Sequence, residues 1–447
     1  MKLWSAETIS QFGTQVSGLA IPLIAALYLE VTPFQFGLIA TIEFLPFILL
    51  SLPAGVWVDR LRRRPILIIG DVGRGIALLS IPIAYELNVL TIWQLYAVGF
   101  ITGCLTVFFD VAYQSYLPSL VDRDDILEGN SKLEISRSSA QIVGPGVAGF
   151  LIGIVTAPVA IILDSLSFFA SGLFVFAIRK KEPPPERHET VDGKGPGMRA
   201  EIADGLRYVL KHPYLRYIAA CTGTSNLFGN MLNGVLILYL VRDLDIRAEQ
   251  LGIVFSLASV GFLLGALLAN KIGTRIGVGP TIVISALVFG PASILIPAAP
   301  RDLTLAAVTG ALFLTGFSGA TYNINQVSFR QAITPPRMQG RMNATMRFIV
   351  WGTIPIGSLL GGALGSTIGL QQTIWIGAIG GAFSVVPLFF SPLLSLKTMP
   401  EPVTDGSPGP GVSAIDTEAE VIGEAVDESP RPFPGSQSPR IDPEDET

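Results

Sequence analysis

Two carboxylates stand inside long apolar runs. Glu43 lies about nine residues into a run that begins near residue 34, roughly 14 Å along a helix and therefore near the middle of a bilayer. Asp110 is the only charged residue of a run covering 91–117 and sits toward its end. An unpaired charge in hydrocarbon costs several kcal/mol, so such a group takes a partner or takes up a proton. Glu43 is read either as a proton-exchanging group or as a hydrogen-bonded carboxyl between helices. Asp110 is read either as a partner of Arg137 or as a group that titrates or binds a cation. Asp164 and the Asp71/Arg74 pair are read as structural, because residues three apart on a helix can pair on one face.

The elements that hold these acids follow from composition. Of 447 residues, 50% are hydrophobic and 15% charged, against a usual charged share of about 25%. Ile66 to Ala84, Leu251 to Ala269 and Ile374 to Phe390 each supply the roughly 20 apolar residues a bilayer demands. They are apolar on all sides, whereas barrel strands alternate, so a β-barrel is excluded. The chain therefore reads as an all-α polytopic membrane protein. Cys104 and Cys221 both fall in apolar runs, which implies neither a disulfide framework nor a metal cluster. No phosphate-binding loop or nucleophile motif occurs. Neither an enzyme nor a nucleic-acid partner is expected, and no cofactor.

Hydropathy and breaker residues divide the body into twelve spans: 5–29, 34–58, 66–85, 91–117, 131–155, 158–178, 214–240, 248–270, 278–298, 303–329, 343–367 and 371–394. The domains are then a six-helix half over 1–178, a linker over 179–213, a second six-helix half over 214–397 and a tail over 398–447. Within the linker, Ile202, Leu206, Val209 and Leu210 share one helical face before Pro213, which predicts a helix lying on the membrane surface. The tail carries a net charge of −10 and leaves the body at +5. Rich in Pro, Gly and Ser, it is expected to be disordered. Lys and Arg gather in one set of loops (Arg60, Arg62 to Arg64, Arg179 to Arg199, Lys271, Arg275, Arg330, Arg337, Arg341), and the opposite set holds only Arg242, Arg247 and Arg301. That asymmetry predicts an inner (cytoplasmic) membrane protein with both termini cytoplasmic.

The halves echo one another. Asn130 is followed by Gly144, Gly149 and Gly153; Asn343 is followed by Gly357, Gly362 and Gly365. Between the second and third spans, Gly55, Asp59, Arg60, Arg63 and Arg64 resemble the signature of the major facilitator superfamily, with Arg62 where that pattern often has Gly. Ala140, Gly144, Pro145 and Gly149 resemble the Gly-Pro signature of the superfamily's antiporters. At the level of packing, they are small residues that let helices cross closely around a proline kink. Thr8 to Gly13, Leu52 to Gly55, Gly205 to Tyr208 and His212-Pro213 are similar to the branch containing the enterobactin exporter and the macrolide and multidrug efflux proteins. The fourth span departs from the antiporter pattern, since it has no arginine.

The resemblance implies the major facilitator fold, two pseudo-symmetric six-helix halves in which the first, fourth, seventh and tenth spans face a central cavity. Polar residues on those spans are then cavity candidates: Gln11, Thr14 and Gln15; Thr106 and Tyr113; Asn226, Asn230 and Asn233; Tyr322, Asn323 and Gln326. Hydrogen bonding between helices is the competing reading of each. Amides, hydroxyls and aromatics with few fixed charges suit a bulky amphipathic ligand better than a small anion, for which Arg347 and Arg74 are the only basic candidates. The function expected is a secondary active exporter of a drug, antibiotic or siderophore-like compound, working by alternating access and proton antiport as a monomer in the lipid bilayer. Alternatives are a proton-coupled importer or facilitator of an organic solute, and a membrane scaffold or sensor that does not transport.

Overall fold

The computed structural model describes residues 2–120, 126–178, 198–398 and 400. The linker segment 179–197 and the acidic tail from 401 lie outside the described residues, as do the side chains of Asp59 and Arg60 and the surroundings of Gly55. The helices of the first half are α1 (Lys2–Leu27), α2 (Pro33–Arg60), α3 (Arg63–Glu86), α4 (Ile92–Leu120), α5 (Ile126–Val155) and α6 (Ala157–Phe176). α7 (Met198–Lys211) belongs to the linker. The second half comprises α8 (Leu215–Arg242), α9 (Ala248–Ile276), α10 (Val278–Ala292), α11 (Leu295–Ala298), α12 (Thr304–Ala332), α13 (Pro336–Ile368), α14 (Leu370–Phe383) and α15 (Val386–Phe389). Among the described residues, twelve helices are long and apolar enough to cross a membrane, with α10–α11 and α14–α15 each forming one broken span. The eleventh begins earlier than its sequence suggests, because Pro336 opens the helix in its first turn and the polar stretch after it, Gly340 included, stays helical.

Large apolar side chains cover the outside of these helices. Ile69, Ile76 and Ile83 of α3 form an exposed row at seven-residue spacing, a surface that water would not tolerate and lipid does. The turns at the end opposite the chain termini are tight. Glu30, Asn88, Thr156, Asp245 and Gly369 adopt positive φ there, and Thr32 with Gln35 forms a capping box that starts α2 at Pro33.

Packing repeats between the halves. α1 lies on α5 and α6, α2 on α4, and α3 on α4 and α6. In the second half, α8 lies on α13 and α14, α9 on α12, and α10 on α12 and α14. The halves meet through α5 against α9 and α2 against α13. Glycines make both crossings possible: a Cβ on Gly252 would lie 2.7 Å from the Pro145 carbonyl oxygen, and one on Gly37 would lie 2.5 Å from that of Ser358. The sequence echo thus has a physical basis. Gly149 meets Gly252, and Gly362 meets Gly37, at equivalent places of the two halves.

Among the described residues, the buried apolar side chains form three clusters. One, at the end away from the termini, joins residues of both halves, including Leu23, Ile24, Val235, Leu238 and Leu251. At the terminal end the core divides in two: Leu67, Phe109 and Tyr116 belong to the first half, and Leu215, Ile282 and Phe329 to the second. The protein is therefore joined at one end, with separate cores at the other. Arg242 fastens the joined end, donating from Nη1 to the Val31 carbonyl at 2.7 Å and from Nη2 to that of Ala26 at 3.1 Å.

α7 corrects the surface-helix expectation in part. Among its described side chains Gly205 and Val209 are buried, and a Cβ on Gly205 would lie 2.9 Å from the Arg341 carbonyl of α13. Asp204 also reaches Arg341 at 3.7 Å. Of the face expected to lie on the membrane, Val209 is thus turned into the bundle, Leu206 and Leu210 remain exposed beside this docking edge, and the side chain of Ile202 lies outside the described residues. The helix thus rests on the bundle and keeps a free apolar flank.

His212 closes this linker. Its Nδ1 accepts from the Tyr214 backbone N–H at 3.3 Å, which places the proton on Nε2, and Nε2 is buried without a hydrogen-bond partner. Burial lowers its pKa from 6.5 to about 4. The unfolded chain therefore binds the proton first, so the contribution of neutral His212 is whole above pH 6.5 and is lost as pH falls through about 4. The loss amounts to about 3 kcal/mol. Thermal unfolding in detergent should show His212→Asn, whose Oδ1 can replace Nδ1 as acceptor, losing less stability than the native chain between pH 6.5 and 4.

Candidate functional site

Two cavities lie between the helices. The first, of about 460 Å³, is walled by α1, α2, α3, α4 and α6 of the first half and by Asn233, Gly234 and Ile237 of α8. Helical spacing brings Glu7, Gln11, Thr14 and Gly18 of α1 onto one wall. Opposite stand Glu43, Phe44 and Phe47, with Thr102, Thr106 and Asp110 from α4. Glu43 is accessible to the cavity and has no hydrogen bond or ion pair among the described residues. Its position, ten residues into α2, is about 15 Å from the helix start. Asp110 is likewise accessible and unpaired. The Arg137 partner expected for it is instead held by Glu134 at 2.9 Å, one turn away on the same exposed face of α5.

Arg74 anchors the far wall of this cavity. Its guanidinium lies between the rings of Phe109 and Phe168, 4.2 and 4.3 Å from their centroids, and Nη2 donates to Asp71 Oδ1 at 2.7 Å. Ser171 Oγ donates to the other carboxylate oxygen at 2.7 Å. The pair is structural as its spacing implies, yet Arg74 and Asp164 also line the cavity. Glu7 escapes a search for mid-span acids because it lies close to the start of α1. Its signal is the repeat Glu7, Gln11, Thr14, and Gln11 Nε2 does donate to Glu7 Oε1 at 2.7 Å.

The second cavity, of about 730 Å³, belongs to the second half and is walled by α8, α9, α10, α12 and α13. Asn226, Tyr322, Asn323 and Gln326 line it, while Gln11, Thr14, Thr106 and Asn233 line the first, so these candidates are shared between two cavities rather than gathered in one central cavity. Tyr322 is held by Thr222 at 2.9 Å between hydroxyl oxygens and by the edge of Phe289 at 5.4 Å between centroids. Gln326 Nε2 donates to Asn323 Oδ1 at 3.0 Å. Arg347 lines the cavity, and so does Arg330, which sequence reasoning assigns to a loop.

Three cavity candidates are elsewhere. Gln15 turns toward α5, where a Cβ on Gly144 would meet its Cγ at 2.4 Å, because it stands about 100° around the helix from Thr14. Tyr113 packs in the terminal-end core, stacked on Phe109 at 6.0 Å with its hydroxyl buried and unbonded. Asn230 donates to the Asn226 carbonyl at 2.7 Å and lies against Gly357 of α13. For these side chains, packing between helices prevails over the cavity reading. Of the motif residues, Arg64 donates to the Phe176 carbonyl at the end of α6 and sits over its ring at 5.7 Å. Arg64 therefore ties α3 to α6. Arg63 lies beside it, half-buried.

Among the described residues, twelve helices able to cross a membrane, in two related halves with cavities between the helices, define a membrane transporter of the major facilitator type. The chain belongs to the transmembrane secretion effector family, whose model matches residues 1–419. It is 26% identical to the multidrug efflux pump Tap of Mycolicibacterium fortuitum over 347 residues, covering 75% of this chain and 82% of Tap. It is 23% identical to the enterobactin exporter EntS of Escherichia coli O1:K1 / APEC over 384 residues, covering 85% and 88%. The crystal structure of a bacterial homologue of the iron transporter ferroportin, in an inward-facing state, has the same fold. It matches with a TM-score of 0.69 at 14% identity, covering 87% of this chain and 97% of that one.

Proposed function

We propose that this protein is a secondary active exporter of bulky amphipathic organic compounds, driven by proton antiport across an inner membrane with both termini in the cytoplasm. The observation that carries the reading is the accessible, unpaired Glu43 beside aromatic rings in a cavity bordered by both halves. The Phe44 and Phe47 rings give an apolar ligand surface, and amides and hydroxyls orient it. Glu43 and, nearer the terminal end, Asp110 exchange protons with that compartment. The cation excess in the terminal-side loops supports the orientation. The divided core at the terminal end supports a cavity open to the cytoplasm, and the joined end is the outer gate. Rocking of the two halves about the site would alternate its access, and one chain supplies every wall, so a monomer suffices. Relatedness to an efflux pump and an exporter favours outward movement.

The test is flux of an amphipathic fluorescent dye in proteoliposomes under an imposed pH gradient, with lumenal pH read in parallel. Glu43→Gln is expected to keep downhill dye movement and to lose at least tenfold of the gradient-driven rate together with the lumenal pH change. Gradient-driven flux that survives intact in this variant removes Glu43 from the coupling role. Movement along the proton gradient would make the protein an importer.

A further inference from the structure

We propose that the cavity of the second half is a subsite for an organic anion, a carboxylate-bearing amphiphile whose charged oxygens are received by Arg330. This rests on the transporter reading only in taking the cavity as a ligand site. Arg330 is 7% exposed, lines the cavity, and its Nε is buried without a hydrogen-bond partner. One turn earlier on α12, Gln326 is 3% exposed and its Oε1 is also buried and unbonded. No Asp or Glu is among the residues that line this cavity, whereas Arg347 is. The first-half cavity is its electrostatic opposite, with Glu7, Glu43, Asp110 and Asp164 around a single arginine already paired to Asp71.

A buried guanidinium with open donor capacity is costly, and an incoming carboxylate would offset that cost. Its planar fork matches two oxygens at once, which a neutral ligand cannot exploit. Beside it, Phe289 and Tyr322 supply the apolar wall that the rest of an amphiphile needs. The two cavities then divide the work: carboxylates for protons in one half, a cation for the ligand's anion in the other.

Equilibrium binding without any gradient tests this separately from transport. The probes are a dansyl-labelled fatty acid and its methyl ester, added to the full chain in neutral phosphatidylcholine nanodiscs. The native protein is expected to bind the acid at least tenfold more tightly than the ester. Arg330→Gln should erase that preference, Arg330→Lys should retain part of it, and ester binding should change less than threefold in both. Should R330Q fail to fold, Gln326→Glu serves instead. A carboxylate one turn from Arg330 should weaken the acid alone. Equal binding of acid and ester by the native chain overturns the proposal, as does an unchanged preference in R330Q or Q326E. So does displacement of the acid by a few mole per cent phosphatidylglycerol, which would give the arginine to a lipid headgroup.

Discussion

Asp71→Ala is expected to destabilise the protein by about 3–5 kcal/mol, because it leaves the Arg74 guanidinium buried without its counter-ion. Arg74 would keep the hydrogen bond from Nε to the Gly70 carbonyl at 3.2 Å and its two ring contacts. An aromatic face contributes about 0.5 to 2 kcal/mol to a cation, less than the carboxylate loss. Ser171 Oγ would lose its acceptor as well. The double variant Asp71→Ala/Arg74→Met removes the charge together with its partner and fills the slot between Phe109 and Phe168 with a flexible apolar chain. It should recover most of the loss. Unfolding midpoints in mild detergent measure both variants. If the double variant is as unstable as the single one, unpaired charge is not the cause. Transport gives the second readout, since Arg74 lines the first cavity. A stable double variant that no longer moves dye would show that the cation also sets the field at Glu7 and Asp110.

The spans were legible because a bilayer requires long apolar runs and the chain breaks them with charged or glycine-rich turns. Burial within each span was less so. Thr14 lines the cavity and Gln15, the next residue, packs against Gly144. Hydropathy does not report the rotation of a helix about its axis, and polar side chains serve both surfaces. α7 repeats the point: its apolar residues mark a face, but Gly205, which hydropathy passes over, is what lets it dock on α13. Arg330 reads as a loop residue for a different reason. An arginine at the end of an apolar run satisfies the positive-inside pattern whether it faces headgroups or a cavity, and only the packing of α12 against α9 and α10 separates the two. The glycine echo was visible as a repeat, but Gly37 and Gly252, the partners that give it meaning, lie in other helices.

Those partners carry the other large effect. Gly252→Leu is expected to open the joined end and to lower transport at least tenfold. A Cβ at Gly252 would stand 2.8 Å from Gly149 Cα and 2.7 Å from the Pro145 carbonyl oxygen. Both obstacles are backbone, so α5 and α9 must separate. Overpacking of this kind costs about 1–3 kcal/mol, and each 1.4 kcal/mol shifts a two-state population about tenfold. The cost falls only on the arrangement in which these helices touch, since the core at the terminal end is already divided between halves. Arg242 still ties the α8 end to the Ala26 and Val31 carbonyls, so a population shift rather than unfolding is expected. Spin labels on Val89→Cys and Asp243→Cys, exposed in turns of opposite halves, would report a longer distance in the variant, with Cys104 and Cys221 replaced by serine. Gly310→Leu is the control, because nothing lies within 4 Å of a Cβ built there. It should leave both distance and flux near the native values. An unchanged label distance in G252L, with flux intact, would mean that the crossing yields without a change of state and is no gate.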